Sequence, residues 1–402
     1  MKNWEKKKLG EVCLVERGSS PRPIEKYQTD SPDGVNWIKI GDTKGVDKYI
    51  FSTKEKITKE GAEKSRYVKE GDFILSNSMS FGKPFIMKTD GYIHDGWFVF
   101  RLPDYLDKDY FYYLLTSPNV QEQIQSLGAG AIVKNISGDL VKKVDVTYPK
   151  SLPEQQRIVA ILDEAFAVIA KAKANAEQNL KNAKELFESY LQGVFEKKGE
   201  GWEEKTLREL TTKIGSGATP RGGQENYKTE GISLVRSMNV HDWEFKERNL
   251  AYIDEKQAKE LDGVTIQEDD VLLNITGASV ARCCVFPKEY LPARVNQHVS
   301  IIRPKKELLD ARFLNLLLTS KPYKDQLLFT GEQGATRQAI TKAQIEAFRI
   351  SIPKLKEQQT IVSQLDALRA ETQKLEAVYQ KKIDDLEELK KSVLQKAFNG
   401  EL

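Results

Sequence analysis

The sequence is poor in the residues on which most metal and proton chemistry depends. Its 402 residues include only three histidines and three cysteines, which are His94, His241, His298, Cys13, Cys283 and Cys284. The histidines are widely spaced and only two of the cysteines are neighbours, so neither a zinc-ligand spacing nor a disulfide framework is present. We therefore expect no metal site and no cofactor.

Signatures of other common function classes are also missing. No apolar run approaches the ~20 residues that a membrane span needs, and the N-terminal segment has no apolar core of the kind that signal peptides carry. There is no phosphate-binding Gly-x-x-x-x-Gly-Lys-Ser/Thr loop and no Asn-Pro-Pro-aromatic methyltransferase motif. These absences favour a cytoplasmic protein that binds or scaffolds, without membrane contact and without a catalytic site of its own.

One triplet, Asp254-Glu255-Lys256, has the composition of a nuclease-like carboxylate and lysine cluster. Such triplets are common in a chain of which 30% is charged, so a solvated surface is the simpler interpretation. The net charge of +3 is too small to identify a nucleic-acid partner.

What the sequence does contain is a repeated helix start. Glu154-Gln155-Gln156 and Glu357-Gln358-Gln359 are 203 positions apart, and the segments that follow them align without an insertion as far as Phe195 and Phe398. Pro149 and Pro153 precede the first copy, and Pro353 precedes the second, as expected where backbone N–H groups have no helical partner. The sequence therefore predicts two long helices of equal length.

Apolar residues in these helices recur at steps of 4 and 3, which is the seam of a coiled coil. In the second helix the seam residues are Ile361, Leu365, Leu368, Thr372, Leu375, Tyr379, Lys382, Leu386, Leu389 and Val393. In the first they are Ile158, Leu162, Ala165, Ile169, Ala172, Ala176, Asn179, Ala183, Leu186 and Tyr190. The alanine-rich seam complements the leucine-rich one, so we expect the two helices to pair antiparallel.

The segments that precede the helices repeat each other more loosely. Gly18-Ser-Ser-Pro-Arg22 matches Gly217-Ala-Thr-Pro-Arg221, and Val68–Ser76 matches Ile266–Asn274. Short strands and short helices alternate in both. We predict an α+β fold in which two similar globular domains, 1–150 and 201–352, are separated by helical spacers, 151–200 and 353–402, in a pseudo-twofold tandem repeat.

Two variable globules, each followed by a helix that opens Glu-Gln-x-x-Ile-Val, resemble the specificity subunit of type I restriction–modification enzymes. The resemblance covers the whole chain, and the repeated helix starts, the Gly-x-x-Pro-Arg loops and Phe398-Asn-Gly-Glu-Leu402 carry it jointly. It implies that each globule is a target-recognition domain for one half of a bipartite site on double-stranded DNA. It also implies that the helices set the spacing and dock two methylation subunits, through which restriction subunits join.

Amides, hydroxyls and basic side chains on loops are the groups that read base edges. The candidates are Arg22, Ser76, Asn77, Ser78 and Lys83 in the first globule, and Arg221, Asn274, Thr276, Arg282, Arg337 and Gln338 in the second. A turn hydrogen bond or a solvated loop is the alternative for each of them.

For partner docking, the candidates are Glu154, Gln155, Gln156, Glu357, Gln358 and Gln359, which offer the same polar surface twice. The alternative is that these residues only cap their helices. For the chain as a whole, the alternative function is a coiled-coil adaptor whose globules bind protein rather than DNA.

Overall fold

The computed structural model describes residues 3–77, 82–127, 137–220, 223–332 and 339–402. The chain divides into two compact units. Unit 1 consists of Met1–Ala176 with Lys381–Leu402, and unit 2 consists of Glu177–Gln380. Each long helix therefore contributes one end to each unit. No helix among the described residues is long and apolar enough to cross a membrane.

Unit 1 is built from short strands with helices between them. The strands are β1 (Trp4–Lys8), β2 (Leu14–Arg17), β3 (Val35–Ile38), β4 (Tyr49–Ile50), β5 (Glu55–Ile57), β6 (Arg66–Val68), β7 (Phe73–Ser76), β8 (Pro84–Met87), β9 (Gly91–Ile93), β10 (Trp97–Arg101) and β11 (Asp145–Pro149). The helices are α1 (Leu9–Val12), α2 (Lys59–Glu63), α3 (Lys108–Thr116), α4 (Pro118–Leu127), α5 (Gly138–Val141) and the first part of α6 (Leu152–Lys197).

Two sheets form the body of unit 1. One has the strand order β2-β10-β7-β8-β4, and the other has the order β5-β3-β9-β6. The strands β7 and β10 are buried on both faces, apart from Arg101 at the end of β10, because α3 covers one face and the second sheet covers the other. In addition, β1 pairs antiparallel with β11, which places Trp4 opposite Pro149 just before α6 begins.

Unit 2 repeats this plan with different loops. Its strands are β12 (Glu203–Thr206), β13 (Thr211–Ser216), β14 (Ile232–Val235), β15 (Val240–His241), β16 (Glu244–Phe245), β17 (Ala251–Ile253), β18 (Val271–Asn274), β19 (Cys283–Val285), β20 (Ala293–Val295), β21 (Val299–Pro304) and β22 (Arg349–Ile352). Its helices are α7 (Leu207–Leu210), α8 (Glu255–Glu260), α9 (Ala311–Thr319), α10 (Lys321–Glu332), α11 (Lys342–Ala347) and most of α12 (Leu355–Phe398). The main sheets have the orders β13-β21-β18-β19 and β17-β14-β20, so the predicted tandem α+β repeat is confirmed.

The two long helices begin almost where the sequence predicts. Helix α12 starts two residues after Pro353, as expected. Helix α6 starts at Leu152, so Pro153 lies inside its first turn rather than before it. This position is tolerated because N–H groups of the first turn have no intrahelical acceptor. The helices contain 46 and 44 residues, which supports the expected match in length.

Within each unit the two helix segments run antiparallel. In unit 1, Lys173 of α6 pairs with Glu387 of α12. Arg157, which lies 16 residues before Lys173, donates at 2.8 Å to the carbonyl oxygen of Leu402, which lies 15 residues after Glu387. In unit 2, Glu357, near the start of α12, contacts Trp202, which follows the end of α6. The helix segments therefore pair antiparallel, as predicted.

In each unit a cation from α12 lies over an aromatic ring. In unit 1 the Nζ atom of Lys390 lies 5.2 Å from the centroid of Phe166 of α6, which packs at 5.5 Å against Tyr113. In unit 2 the guanidinium of Arg369 lies 5.2 Å from the centroid of Trp243, a residue of the globule, and Trp243 packs at 5.3 Å against Phe187 of α6. The ring that contacts the cation therefore belongs to the long helix in unit 1 and to the globule in unit 2.

The predicted seam of α6 is correct as far as Ala183, except at Asn179, and wrong at its last two positions. In α6, Ile158 and Leu162 are buried, but Leu186 and Tyr190 are 48% and 46% exposed. The buried residues there are Phe187, Leu191 and Phe195. A straight helix drifts ~20° per heptad from a 3.5-residue repeat, which amounts to about one residue over five heptads. In α12 the predicted seam residues Leu375, Lys382 and Leu389 are exposed, whereas Thr372 is buried and Tyr379, Leu386 and Val393 are half-buried.

Candidate nucleic-acid interface

In unit 1, three loops meet at one end of the five-stranded sheet. They are the loop after β2, the loop after β7 and the loop between β9 and β10. The loop after β2 begins at Gly18, whose amide donates to the Trp97 carbonyl oxygen at 2.8 Å. The loop after β7 begins at Asn77, whose amide donates to the Gly96 carbonyl oxygen at 3.0 Å. A Cβ atom at Gly18 would collide with the His94 carbonyl group, so this close approach requires glycine.

The exposed rim of this loop cluster holds a charged pair. Arg22 Nη2 lies 3.1 Å from Asp95 Oδ2, and the Arg22 side chain is 79% exposed. The Ser20 hydroxyl donates to Asp95 Oδ1 at 2.8 Å. The Asn77 amide group donates to the Asp95 backbone carbonyl oxygen at 2.9 Å. Ser20 and Asn77 therefore fix the position of Asp95, and Asp95 in turn contacts Arg22 at the surface.

Local electrostatics keep this aspartate ionised. Burial alone raises the pKa of Asp95, but the hydrogen bonds from Ser20 and from the Asp95 backbone amide, together with the positive charge of Arg22, lower it more, so that the net pKa is below its usual value. Burial also lowers the pKa of His94 below 6.5, and the positive charge of Lys39 acts in the same direction. The cluster therefore carries a neutral imidazole beside a carboxylate at neutral pH.

A cleft of about 730 Å³ lies beside the charged pair. Its lining combines hydrogen-bonding groups, positive charge and an aromatic face, from Ser20, Arg22, Trp37, Lys39 and His94 among others. This lining is of the kind that can accept an edge of a nucleic acid.

Unit 2 builds the same cluster with different side chains. The amide of Ile275 donates to the His298 carbonyl oxygen at 3.0 Å. The Thr219 hydroxyl donates to Gln297 Oε1. Gln297 Nε2 lies 3.2 Å from His298 Nε2, and His298 Nδ1 lies 2.6 Å from Thr276 Oγ1. An amide nitrogen can only donate, so His298 accepts through Nε2 and its neutral ring carries the proton on Nδ1.

Strand register makes the two clusters comparable residue by residue. The last residue of β7 pairs with the first of β10, and the last residue of β18 pairs with the first of β21. Asp95 and Gln297 each lie two positions before these strands, and Ser20 and Thr219 each lie two positions after the glycine of the preceding loop. The contacts Ser20–Asp95 and Thr219–Gln297 are therefore equivalent.

Sequence reasoning missed Asp95 and Gln297. The signal was present, because extending the repeat through the apolar strands that begin at Trp97 and Val299 aligns the two residues. It was overlooked because the loops before these strands differ in composition, and only the contacts with Ser20 and Thr219 distinguish them from other polar loop residues.

Three of the predicted base readers lie inside the domains. The exposed fractions of Ser76, Asn77 and Asn274 are 0%, 1% and 0%. Asn274 Nδ2 donates to the Ser237 carbonyl oxygen at 2.9 Å, while the Oδ1 atoms of both asparagines are buried without a hydrogen-bond partner. In this fold these side chains support the loops and do not reach the surface, because their strands are covered on both faces.

Lys83 and Arg282 occupy equivalent places in the two units. The Ser76 amide donates to the Lys83 carbonyl oxygen, and the Asn274 amide donates to that of Arg282 at 2.8 Å. Lys83 is exposed and its Nζ donates to the Val46 carbonyl oxygen at 2.8 Å. Arg282 is half-buried in a cleft of about 430 Å³, which is also lined by Met238, Thr276, Ser279 and His298.

The remaining predicted base readers, Ser78, Arg221, Arg337 and Gln338, lie outside the described residues. Two described residues next to these gaps belong to the clusters, since the Asn77 amide donates to the Gly96 carbonyl oxygen and Ala339 bridges to Thr276. Of the described candidates, Arg22, Lys83, Thr276 and Arg282 have surface access.

The predicted docking motif divides into buried and exposed members. Gln155 is fully buried. Its Oε1 accepts from the Asp107 amide at 2.8 Å, and its Nε2 donates to the carbonyl oxygens of Tyr105 and Pro149 at 3.2 and 2.9 Å. Gln358 is likewise fully buried and makes the same three contacts, with Asp310, Leu308 and Pro353. The middle glutamine therefore fastens each long helix to its own globule and presents no surface to a partner.

The outer members of the motif remain accessible. Gln156 and Gln359 are exposed. Glu154 forms a two-point pair with Arg157 at 2.8 Å, which lowers the pKa of Glu154. Glu357 instead accepts from Trp202 Nε1 at 3.2 Å. A docking surface at these helix starts would consist of the four outer members of the motif, which are Glu154, Gln156, Glu357 and Gln359.

The nuclease-like triplet has a structural role. Asp254 is the N-cap of α8, where its Oδ1 accepts from the Gln257 amide at 2.9 Å, and it pairs with Lys228 at 3.5 Å. This cap explains the aspartate without catalysis. Across the described ranges, the structure contains no group of three or more histidine, cysteine, aspartate or glutamate side chains placed to hold a metal ion.

Comparison with known families gives one match over most of the chain. The family model whose description is "type I restriction modification DNA specificity domain" matches residues 1–182 and again residues 199–385. The two matches correspond to the two copies of the repeat.

Curated relatives carry names of one kind. The MjaIX specificity subunit of a type I restriction enzyme from Methanocaldococcus jannaschii is 25% identical over 58% of this chain, and the aligned region spans 57% of that relative. The StySPI specificity subunit from Salmonella potsdam is 23% identical, with 75% of this chain and 67% of the relative covered. A putative specificity subunit from M. jannaschii, MjaX, is 23% identical and aligns with 100% of this chain and 94% of its own length.

Solved structures share the fold at low identity. A chain from a study of complex assembly and conformational transition of the type I R-M system superposes with a TM-score of 0.78 at 20% identity, covering 100% of this chain and 99% of its own. The HsdS subunit from Thermoanaerobacter tengcongensis gives a TM-score of 0.62 at 21% identity, with 100% and 98% covered.

Proposed function

Because this chain belongs to the family of type I restriction-modification DNA specificity domains, we propose that it is a non-catalytic subunit that recognises a DNA sequence. Each unit reads one half of a bipartite target on double-stranded DNA. The chemistry of methylation and cleavage belongs to other subunits of the assembly. The protein acts in the cytoplasm and needs no cofactor of its own.

The observation that carries this proposal is the equivalence of the two loop clusters. The same backbone frame presents Ser20–Asp95 with Arg22 in unit 1, and Thr219–Gln297 in unit 2. A constant frame with variable side chains is what reading of two different half-sites requires, because base identity is read by the donor and acceptor pattern of side chains.

The long helices support a role in spacing. Helices α6 and α12 are continuous, and each contributes to both units. Two readers on one duplex must be separated by a distance that suits the helical repeat of DNA. We propose that these helices fix that distance.

The helices also offer equivalent apolar contacts for partners. Leu186 and Leu389 are related by the repeat, and each is 48% exposed on a helix. Gln156 and Gln359 are also exposed and are related by the same repeat. We propose that the chain binds two methylation subunits, one through each copy of these exposed residues, and that restriction subunits attach through the methylation subunits.

Selection from a random duplex library tests the DNA-reading function. The full chain, alone and with its methylation subunits, is incubated with the library, and the bound DNA is sequenced. The expected product is an asymmetric site of two short segments with an unread gap. Absence of any enriched sequence, or enrichment of one uninterrupted segment, would contradict the proposal and would favour a protein-binding adaptor.

A further inference from the structure

We infer that Arg22, positioned by Asp95, reads a guanine in one half-site and that Gln297 reads an adenine in the other. This inference rests on the proposed DNA-reading function and assigns the base chemistry of its two sites. It depends on which hydrogen-bonding groups of these side chains are already used within the protein and which are left for a ligand.

In unit 1 the free groups are donors. Arg22 uses Nη2 to contact Asp95 Oδ2 at 3.1 Å, and its side chain is otherwise 79% exposed. A guanidinium carries five N–H groups in a fixed planar fork, so further donors remain available after this contact. Guanine offers two acceptors, O6 and N7, in the major groove, and a two-point contact from arginine matches them.

Asp95 gives this arginine a defined orientation. Its Oδ1 accepts from the Ser20 hydroxyl at 2.8 Å, and its backbone carbonyl oxygen accepts from Asn77 at 2.9 Å. Its pKa is lowered, so the carboxylate stays charged. An exposed arginine without such a partner would lose side-chain freedom on binding, and the aspartate reduces that cost. Asp95 is therefore a positioning residue.

In unit 2, Gln297 occupies the position equivalent to Asp95, and its side chain has one donor and one acceptor left. Gln297 Oε1 accepts from Thr219, and one N–H of Nε2 is directed to His298 Nε2 at 3.2 Å. The second lone pair of Oε1 and the second N–H of Nε2 remain, and the residue is exposed. Adenine presents a donor at N6 and an acceptor at N7, which this pair complements.

Two contacts hold the Gln297 amide in place. Its Oε1 accepts from Thr219, and its Nε2 donates to His298 Nε2 at 3.2 Å, which leaves the proton of the imidazole on Nδ1, 2.6 Å from Thr276 Oγ1. The amide is therefore held at both of its polar atoms before DNA arrives, as Arg22 is held by Asp95 in unit 1.

The test uses the full chain and a library of random duplex DNA, and it compares base preference position by position. For Arg22→Ala we expect loss of preference for one guanine, with discrimination there falling by about 5- to 150-fold, the range of one good two-point contact. Arg22→Lys keeps the charge but not the fork, and it should lose most of the same preference. For Asp95→Asn we expect a smaller loss, of about 3- to 10-fold, at that same position only.

Gln297→Glu provides a test that a structural role would not mimic. The variant has nearly the same shape, but its carboxylate only accepts hydrogen bonds, so the preferred base at one position of the other half-site should change from adenine to cytosine. Asp254→Asn, at the half-buried N-cap of α8 outside both clusters, is the matched control and should leave both half-sites unchanged. Circular dichroism spectra identical to those of the unmodified chain establish that each variant is folded.

Two results would contradict these base assignments without contradicting the proposed function. If the unmodified chain selects a bipartite site and Arg22→Ala weakens binding equally for all sequences, with a salt dependence reduced by about one charge, Arg22 contacts phosphate and the inference is wrong. An unchanged adenine preference in Gln297→Glu overturns the unit 2 assignment. If the unmodified chain selects no sequence, the proposed function itself fails.

Discussion

The side-chain carbonyl oxygen of Gln155 accepts a hydrogen bond of 2.8 Å from the backbone amide of Asp107, which is the N-cap residue of α3. Gln358 does the same for Asp310, the N-cap residue of α9, at 2.9 Å. In both units the two partners are 48 residues apart. A single buried amide thus ties the start of each long helix to the start of a helix in the globule.

Removal of either glutamine should destabilise the protein. Gln155→Ala and Gln358→Ala each leave three backbone groups without a partner, and one unsatisfied buried group costs about 1–3 kcal/mol. We expect a loss of about 3 kcal/mol for each, measured by chemical unfolding. Gln156→Ala and Gln359→Ala, at exposed neighbours, should change the unfolding free energy by no more than about 0.5 kcal/mol. Similar effects for buried and exposed glutamines would contradict this role.

Mild acid should weaken unit 1 through His94. Burial lowers the pKa of His94 in the folded protein below 6.5, so the unfolded chain binds more protons between that lowered value and 6.5. Stability therefore falls as the pH decreases below about 6.5. The expected result is a lower thermal midpoint at pH 5 than at pH 7, with a smaller decrease in His94→Gln.

His241→Gln controls for loss of a histidine elsewhere, since His241 lies in unit 2. An identical decrease in the unmodified chain and in His94→Gln would assign the acid effect to other groups.

A longer pair of helices should increase the gap between half-sites. Insertion of seven residues in α6 after Ala176 and seven in α12 after Gln380, at the unit boundaries, adds about 10 Å to each helix. This length corresponds to about three base pairs. Selection from random duplexes should then yield the same half-sites with a gap about three base pairs longer. A folded variant with the original gap would show that the helices do not measure distance.

The ends of the described chain should tolerate being joined. The Lys150 amide donates to the Asn3 carbonyl oxygen at 3.3 Å, and Arg157 donates to the Leu402 carbonyl oxygen at 2.8 Å, so both ends contact the segment 150–157. A permutant that joins residue 402 to the N-terminus and opens near Gly199 should keep its fold and half-sites. A permutant opened at Ala174, inside α6, interrupts the helix and should unfold at lower denaturant concentration.

Partner binding should depend on the two exposed leucines. Native mass spectrometry of the complex is expected to show two methylation subunits per chain, one fewer with Leu389→Asp, and none with Leu186→Asp and Leu389→Asp together. Leu14→Asp, at a leucine that is 56% exposed on β2, should not change the count. A saturated complex with one partner per chain would contradict two equivalent surfaces.

The repeat was predictable from sequence because it consists of local patterns. The positions of Gln155 and Gln358 in the alignment were also evident, but their burial was not. A glutamine at a helix start is equally compatible with solvent, and only the globule that folds over it determines the outcome. The same limit applies to Ser76 and Asn274, whose strands are covered by elements that are distant in sequence.

The helix seams show a different limit. A strict heptad pattern placed Leu186 and Tyr190 at the contact, whereas the structure buries Phe187 and Leu191. The pattern was read with a period of 3.5 residues, and the burial follows the 3.6-residue period of a straighter helix. The error accumulates along α6, so its seam was correct as far as Ala183 and displaced by one residue after it.

The helix positions at the cation–ring contacts differ between the two copies of the repeat. Phe166 and Phe187 of α6 correspond, 203 positions later, to Arg369 and Lys390 of α12. Lys390 lies over Phe166 in unit 1, whereas Arg369 lies over Trp243 of the globule, which packs against Phe187 in unit 2. Each long helix therefore carries at these two positions a residue type that its companion lacks, and a copy of one helix is not an equivalent substitute for the other.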